Sequence, residues 1–393
     1  MKKNLKNKII KTYKEALEKI FIIEETRDYS LVKVEKALKL LNDPLKNIKV
    51  IHITGTNGKG STCKMVFSVL KNSGKKVGVF TSPHLLDLKE RFLTDIGEIS
   101  EEEFVEFLNK ILNLELKFSF FEKCFLISCL LFKKREVEYA IMEVGFGGLL
   151  DSTNVVNPVI TAITSIGIDH TKVLGNTIEE ISFQKAGIIK SGIPIVYNHI
   201  NKIIEKTAEE KKSPVIFTDK KIKTNLIGKY QEKNAAIAFR ICKYIKIPEK
   251  EILEGLQKVQ HFGRLQYITY NLLIDGAHNE AGLEELKKYL LNLNKNIKLC
   301  FAQKKGKNGD KILKVFNKEK NFILVESENK LMVESAEKLK ETLIGQTQGT
   351  APTKNFEIKT PEEIYELSLN NKNNLYVVFG SLYMIGDFLK FVK

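Results

Sequence analysis

The segment Thr54-Gly55-Thr56-Asn57-Gly58-Lys59-Gly60-Ser61 is where the sequence most plainly offers chemistry. Its glycines let the backbone wrap an anion, and its amide N–H groups can donate to it. A helix opening at Ser61 turns its positive end toward the same point. Lys59 is placed to meet the β- and γ-phosphates of a nucleotide. The spacing departs from the standard phosphate loop: Ile53 stands where the first glycine belongs, and Gly60 separates Lys59 from Ser61. A glycine-rich turn with a surface lysine is the plain alternative. The apolar run before the loop and the helical pattern after it favour phosphate.

Other polar residues fall where short apolar runs end. Ser82 follows KVGVFT, Glu143 ends EYAIME, and Asp169-His170 follow VITAITSIGI. Ligands of open parallel sheets bind at the carboxyl ends of strands, so Lys59, Ser82, Glu143 and His170 are expected to converge on one crevice. A carboxylate, a hydroxyl and an imidazole beside a triphosphate read as magnesium ligands. Mg²⁺ prefers oxygen, so His170 has a structural loop histidine as its alternative. Glu143 opens Glu143-Val144-Gly145-Phe146-Gly147-Gly148, a carboxylate before a glycine-rich bend, with Asp151, Thr153 and Asn154 just beyond. Later, Asp275-Gly276-Ala277-His278-Asn279 again follows an apolar run and precedes a helix, and Arg264 lies in His261-Phe262-Gly263-Arg264. Arg264 reads either as a phosphate-stabilising group or as a surface residue of a linker.

The elements that must position these residues alternate. Strands are expected over Ile48–Thr54, Lys76–Thr81, Glu138–Glu143, Val159–Ile166, Ile193–Tyr197 and Pro214–Thr218. Helical patterns lie between them, including Ser100–Leu112, where Ser100 and Glu103 form a capping box, and Thr177–Ile189. Strands apolar on both faces fit a mostly parallel sheet covered on both sides. Helices over Tyr230–Ile245 and Pro248–Val259 close this unit. A second β/α series follows through LQYITY, LLIDGA, KLCFA, NFILVE and LYVVFG, with a helix over Glu280–Leu293. The reading is α/β with two domains, residues 1–260 and 261–393.

Composition agrees with globular enzyme chemistry. Apolar residues make up 43% and charged residues 28%, which argues against disorder. The net charge of +15 is spread along the chain without a basic run, which suits small anions better than nucleic acid. Five cysteines, with no C-x-x-C pair, argue against a disulfide framework or a zinc site and favour a reducing cytoplasm. The first 21 residues read as an amphipathic helix, and the longest apolar run, Cys124–Phe132, is too short to span a membrane. A cytoplasmic monomer is expected, with neither membrane nor nucleic acid as partner.

Taken together, GTNGKGS (Gly55–Ser61), TSPHL (Thr81–Leu85), Glu90-Arg91, Phe120–Glu122, Glu143–Asn154, Thr164–Thr177, KAGI (Lys185–Ile188), Gln231 with Asn234, GRLQ, DGAHN and FGSLY (Phe379–Tyr383) resemble the folylpolyglutamate synthase/dihydrofolate synthase family, a branch of the Mur-ligase-like ATP-dependent ligases. The resemblance runs from about Asp28 to Asp387. It implies a phosphate-loop α/β domain, a smaller Rossmann-like C-terminal domain, and substrates in the cleft between them. It implies that Asn57, Gly58, Lys59, Gly60 and Ser61 bind ATP, that Asn234, Arg264 and Asp275 contact the nucleotide, and that Ser82, Glu143 and His170 hold Mg²⁺. Lys185 looks like the lysine that such enzymes carbamoylate. Asp28, Ser119, Phe120, Phe121, Glu122, Leu150, Asp151, Ser152 and Asn154 fall on the pteroate side, and His278 and Asn279 on the glutamate side of the C-terminal cleft. Leu149, Gln184, Tyr230 and Tyr29-Ser30 depart from the usual family pattern. The chemistry implied is addition of L-glutamate to dihydropteroate and reduced folates through an acyl phosphate. The rivals are a Mur-type cell-wall ligase, which shares the loop and the mechanism, and a nucleotide-binding protein that does not ligate.

Overall fold

The computed structural model describes residues 9–22, 31–307, 309–347 and 354–391. The first sheet contains β1 (Lys49–Thr54), β2 (Val77–Phe80), β3 (Phe92–Thr94), β4 (Gly97–Glu98), β5 (Tyr139–Glu143), β6 (Pro158–Ile163), β7 (Ile195–Tyr197) and β8 (Val215–Phe217). Their order is β4-β3-β2-β5-β1-β6-β7-β8. The strands from β2 to β8 in that order run parallel, and β3 and β4 add antiparallel to the β2 edge. Central strands β2 and β5 are buried along their whole length, and β1 is buried after its first residue. Helices cover both faces, which is why these strands read as unbroken apolar runs.

The apolar run Cys124–Phe132 lies inside the helix Phe120–Lys134, and all nine of its residues are buried. The expected capping box at Ser100 and Glu103 is formed, and the helix it opens runs Glu101–Leu112. The amphipathic N-terminal pattern gives the helix Tyr13–Ile20, and the residues before Ile9 lie outside those described. Strands β3 and β4, and β13 below, had no counterpart in the sequence reading. Two or three residues in β4 and β3 are too few to set a period, and β3 pairs only because Arg91 and Phe92 fold back along β2.

The second sheet contains β9 (Gln266–Thr269), β10 (Leu272–Ile274), β11 (Asn296–Phe301), β12 (Asn321–Val325), β13 (Asn355–Lys359) and β14 (Asn374–Phe379), in the order β13-β12-β11-β14-β10-β9. All neighbours are parallel except β9, which forms a hairpin with β10. Its two faces carry separate apolar clusters, one around Leu273, Phe301 and Val377 and the other around Ile274, Val378 and Phe388. By packing the chain forms two compact units. The second comprises the chain from His261 onward together with Pro83–Leu88 and Leu226–Tyr230. Among the described residues no helix is long and apolar enough to cross a membrane, and the five cysteines are free and buried.

Candidate active site

Register within the first sheet decides which side chains meet. Ile53 of β1 pairs with Glu143 of β5, Thr54 pairs with Ile163 of β6, and Phe80 of β2 pairs with Met142. The carboxyl ends of four strands therefore present the loop after Thr54, Glu143, the Thr164-Ser165 turn and Ser82 side by side.

The loop after β1 is fastened rather than free. Thr56 N donates to Ser165 O at 2.8 Å. Asn57 N donates to Ser165 Oγ at 2.9 Å, while Thr164 Oγ1 and Ser165 Oγ donate to Asn57 O at 2.7 and 2.9 Å. Gly58 caps the helix Lys59–Asn72 with φ +87°, a conformation that suits glycine, and a Cβ there would collide with the Asn234 side chain. Asn234 Nδ2 donates to Gln231 Oε1 at 3.0 Å, and Gln231 Nε2 donates to Ser61 Oγ at 3.3 Å. Lys59 folds over the loop, its Nζ donating to Gly55 O at 3.0 Å and Thr56 O at 3.3 Å. Those carbonyls hold the ammonium at the mouth of the loop, and a phosphate oxygen is a stronger acceptor that can take it over. The sequence reading assigned no role to Thr164 or Ser165. Their contacts span 107 or 108 residues, and only the neighbouring register of β1 and β6 could have pointed to them.

Glu143 is 3% exposed, and its Oε2 accepts from Ser82 N at 2.9 Å. This pair brings a carboxylate and a hydroxyl-bearing residue together beside the phosphate loop. His170 caps the four-residue helix Thr171–Leu174 with φ +51°, is exposed, and lies with its ring 5.9 Å from that of Phe146. Among the described residues no three His, Cys, Asp or Glu side chains form a cluster that could hold a metal by themselves. Glu143 and Ser82 nevertheless suit Mg²⁺, which is commonly held by one or two protein oxygens together with substrate phosphates and waters.

Lys185 sits in the last turn of the helix Ile178–Ala186 and is 3% exposed. Burial brings its ammonium pKa down to about 7, with repulsion from Lys59 adding to the shift and Asp169 and Asp151 opposing it. The bend after Glu143 packs on this turn: Leu149 N donates to Gln184 O at 2.8 Å, and Gly148 leaves no room for a Cβ against the carbonyls of Gln184 and Lys185. Asn154 Nδ2 bonds both Leu149 O at 3.0 Å and Gly187 O at 3.2 Å.

Asp151 is buried, and its carboxylate is engaged by the bend itself. Oδ2 accepts from Gly145 N at 3.0 Å and Phe146 N at 3.2 Å, and Oδ1 accepts from Thr153 N at 3.0 Å and Thr153 Oγ1 at 2.6 Å. Burial pushes its pKa up, and these hydrogen bonds oppose the shift. Leu150 is exposed and Ser152 half-buried beside it. A narrow cavity of about 120 Å³ lies between Phe146–Gly148, Leu150 and Val173–Leu174.

Ser119 and Glu122 form the capping box of the helix Phe120–Lys134, and Glu122 also pairs with Lys33 at 3.0 Å. Phe120 stacks on Phe21 at 4.8 Å and carries the Arg91 guanidinium 5.2 Å over its ring. Phe121 packs against Phe80 and beneath Gly145. Asp28 lies outside the described residues.

In the second unit, Asp275 is buried at the end of β10. It accepts from Leu265 N and Ala277 N, both at 2.8 Å, and Gly276 N donates to Gly263 O at 2.9 Å. Burial raises the Asp275 pKa and the Arg264 charge opposes that shift, so the two side chains are electrostatic neighbours. His278 Nδ1 bonds Gly276 O at 2.8 Å, and Asn279 caps the helix Glu280–Leu290 through Gly282 N at 2.9 Å.

Comparison with known proteins fits this geometry. The Mur ligase middle domain matches residues 53–274, and the dihydrofolate synthetase C-terminal domain matches residues 257–391. The chain is 32% identical to a dihydrofolate synthase/folylpolyglutamate synthase of Bacillus subtilis, over 92% of this chain and 95% of that protein. Among solved structures, E. coli FolC in complex with DHPP and ADP superposes with a TM-score of 0.86 at 25% identity, covering 98% of each chain. The Yersinia pestis bifunctional folylpolyglutamate synthase/dihydrofolate synthase complexed with AMPPNP and Mn gives 0.85 at 25% identity, again covering 98% of each. Likeness that holds over nearly the full length of both partners, in sequence as well as in fold, makes this chain a member of the folylpolyglutamate synthase/dihydrofolate synthase family of Mur-type ligases.

Proposed function

We propose that this chain is an ATP-dependent, ADP-forming ligase that adds L-glutamate to dihydropteroate and to reduced folates. The observation that carries the reading is the fastened Gly55–Ser61 loop standing beside the Glu143–Ser82 pair at the carboxyl ends of adjacent strands. In the first step a carboxylate oxygen of the acid attacks the γ-phosphorus of ATP, the bond to ADP breaks, and an acyl phosphate forms. In the second, the amine of glutamate attacks the acyl carbon, phosphate leaves, and the nitrogen loses its proton. The loop amides and Lys59 hold the phosphates in line, and Asn234 supports the loop from the side of Gly58. Glu143 and Ser82, with His170 as a further candidate, would hold Mg²⁺, which when bound neutralises charge on the phosphoryl group. Arg264 and Asp275 are assigned to the nucleotide, and His278 to the glutamate side.

Lys185 is proposed to act as a carbamate. A buried amine with a pKa of about 7 is substantially uncharged at neutral pH. It can attack CO₂, forming an N–C bond and releasing a proton, and the product places anionic oxygens near Lys59. Phe120, Phe121 and the Leu150–Asn154 stretch are assigned to the pteroate side. Asp151 and Asn154 shape that side through hydrogen bonds to the backbone and to Thr153.

The deciding experiment is ADP release by the purified protein with dihydropteroate, tetrahydrofolate, a UDP-linked muramoyl acid or no acid, each with and without L-glutamate. Turnover dependent on glutamate with both pteroate acids is expected. Turnover on tetrahydrofolate alone reduces the activity to tail extension, turnover on the muramoyl acid replaces the reading, and equal turnover without glutamate makes the protein an ATPase.

A further inference from the structure

His52 is a charged-type side chain where an apolar one would serve the core. It lies in the middle of β1, pairs in register with Met142 and Thr161, and is completely buried. Its Nε2 lies 2.9 Å from Thr153 Oγ1. The Thr153 hydroxyl has one proton and spends it on Asp151 Oδ1 at 2.6 Å. The contact with His52 is therefore made by an imidazole Nε2–H donating to Thr153 Oγ1. Nδ1 is then a buried acceptor without a partner among the described residues. Burial, with the charge of Lys190, keeps the ring neutral, its pKa brought down to about 3.

The line of contacts continues outward. Asp151, so fixed, holds the amides of Gly145 and Phe146 with its other oxygen. Thr54, two residues along β1 and on the same face as His52, donates to Gly147 O at 2.6 Å. One face of β1 thus grips the segment that joins Glu143 to the proposed pteroate side at two points, directly at Gly147 and through Thr153 and Asp151 at Gly145–Phe146. An unpartnered buried nitrogen weakens the fold relative to an aliphatic side chain of similar size, so core filling does not account for a histidine here.

Building on the proposed ligase reading, we propose that His52 is a positioning residue for this reaction: its Nε2–H orients Thr153, Thr153 orients Asp151, and Asp151 sets the register of the bend on which the acid substrate is placed. His52 touches neither substrate nor reacting atoms. Its effect is on where the acid lies and not on how the nucleotide is held, because the phosphate loop is fastened separately to Thr164 and Ser165.

The test compares His52→Leu, His52→Gln, whose side-chain amide can still donate to Thr153, and Thr153→Val in the full chain. KM and kcat are measured for dihydropteroate and for ATP, and amide hydrogen exchange is followed across residues 144–152. His52→Leu and Thr153→Val are each expected to raise KM for the acid by roughly tenfold while KM for ATP stays within about twofold, and the double variant is expected to be no worse than the weaker single. His52→Gln recovers most of the loss. Exchange at Gly145 and Phe146 speeds up in His52→Leu and Thr153→Val but not in His52→Gln. Unchanged acid KM in His52→Leu, equal changes for ATP and acid, or His52→Gln behaving like His52→Leu would each overturn the proposal. The exchange measurement needs no turnover, so a wild-type protein inactive on every acid would defeat the ligase reading while exchange still decided whether His52 sets the bend.

Discussion

At the scale of single residues, the site rests on groups whose placement is dictated by strand ends and whose charge is dictated by burial. Lys59→Ala and Glu143→Ala each remove one such group without opening the apolar core. Glutamate-dependent ADP release is expected to fall by roughly a hundredfold or more in each, by comparison with the loss of one preorganised electrostatic group elsewhere. Circular dichroism and the urea midpoint check that the fold persists; near-normal turnover in either variant would remove that residue from the mechanism. Lys185 offers a different handle. Its pKa in the folded chain is about 7, against 10.5 for an ordinary lysine. The unfolded chain therefore binds more protons between those values, and stability rises with pH through that window, the whole cost of burying the ammonium being present below pH 7. In CO₂-free buffer the wild type is expected to gain on the order of a few kcal/mol over Lys185→Met between pH 7 and pH 10. Parallel urea midpoints for the two proteins across that range would show that burial does not lower the Lys185 pKa and that the side chain keeps its proton as an ordinary lysine does.

At the scale of elements, close approach is the controlling quantity. Gly255, in the helix Glu249–Leu256, lies so close to the helix Lys59–Asn72 that a Cβ would come within 2.6 Å of Val69 Cα. Gly255→Ala is expected to destabilise the protein by about 1–3 kcal/mol, despite the better helix propensity of alanine, because the obstacle is backbone and cannot rotate away. Equilibrium urea unfolding measures it, and a stabilised variant would mean that the helices separate freely. Most elements were legible beforehand. The parallel strands announce themselves as short apolar runs, and the capping box at Ser100 marks where a helix begins. The edges at β3–β4 and β13 were not legible, whereas those at β8 and β9 were: β13, Asn-Phe-Glu-Ile-Lys, is half-exposed and looks like a loop. In the site, the glycine loop and Glu143 could be read because backbone wrapping and strand-end carboxylates leave a local pattern. The fastening of Asn57 by Thr164 and Ser165, and of Thr153 by His52, could not, since these pairs are 101 to 108 residues apart in sequence. Asp151 was legible as a polar residue after the bend but not as the group that folds the bend.

At the scale of the whole molecule, the charge of +15 belongs to a protein whose proposed substrates are all anions. A positive field raises the local concentration of such ligands and is screened by salt, with a Debye length of about 10 Å at 0.1 M and about 3 Å at 1 M. Raising the ionic strength is therefore expected to increase KM for ATP, and to increase it more for folates with longer glutamate tails, while kcat changes little. A KM independent of salt for every substrate would show that the charge is dispersed too evenly to guide ligands.

The fastening of the phosphate loop has a consequence for timing. Thr56 and Asn57 are already bound to the turn after β6, and Gly58 is already backed by Asn234. A nucleotide arriving at such a loop has little segment to organise, so entry resembles a single collision followed by capture, without a slow rearrangement of the loop. On the proposed reading departure gains nothing from melting either: a loop fastened in this way is expected to keep its shape as ADP leaves, so that ATP and ADP would be told apart there by the terminal phosphate and its contacts.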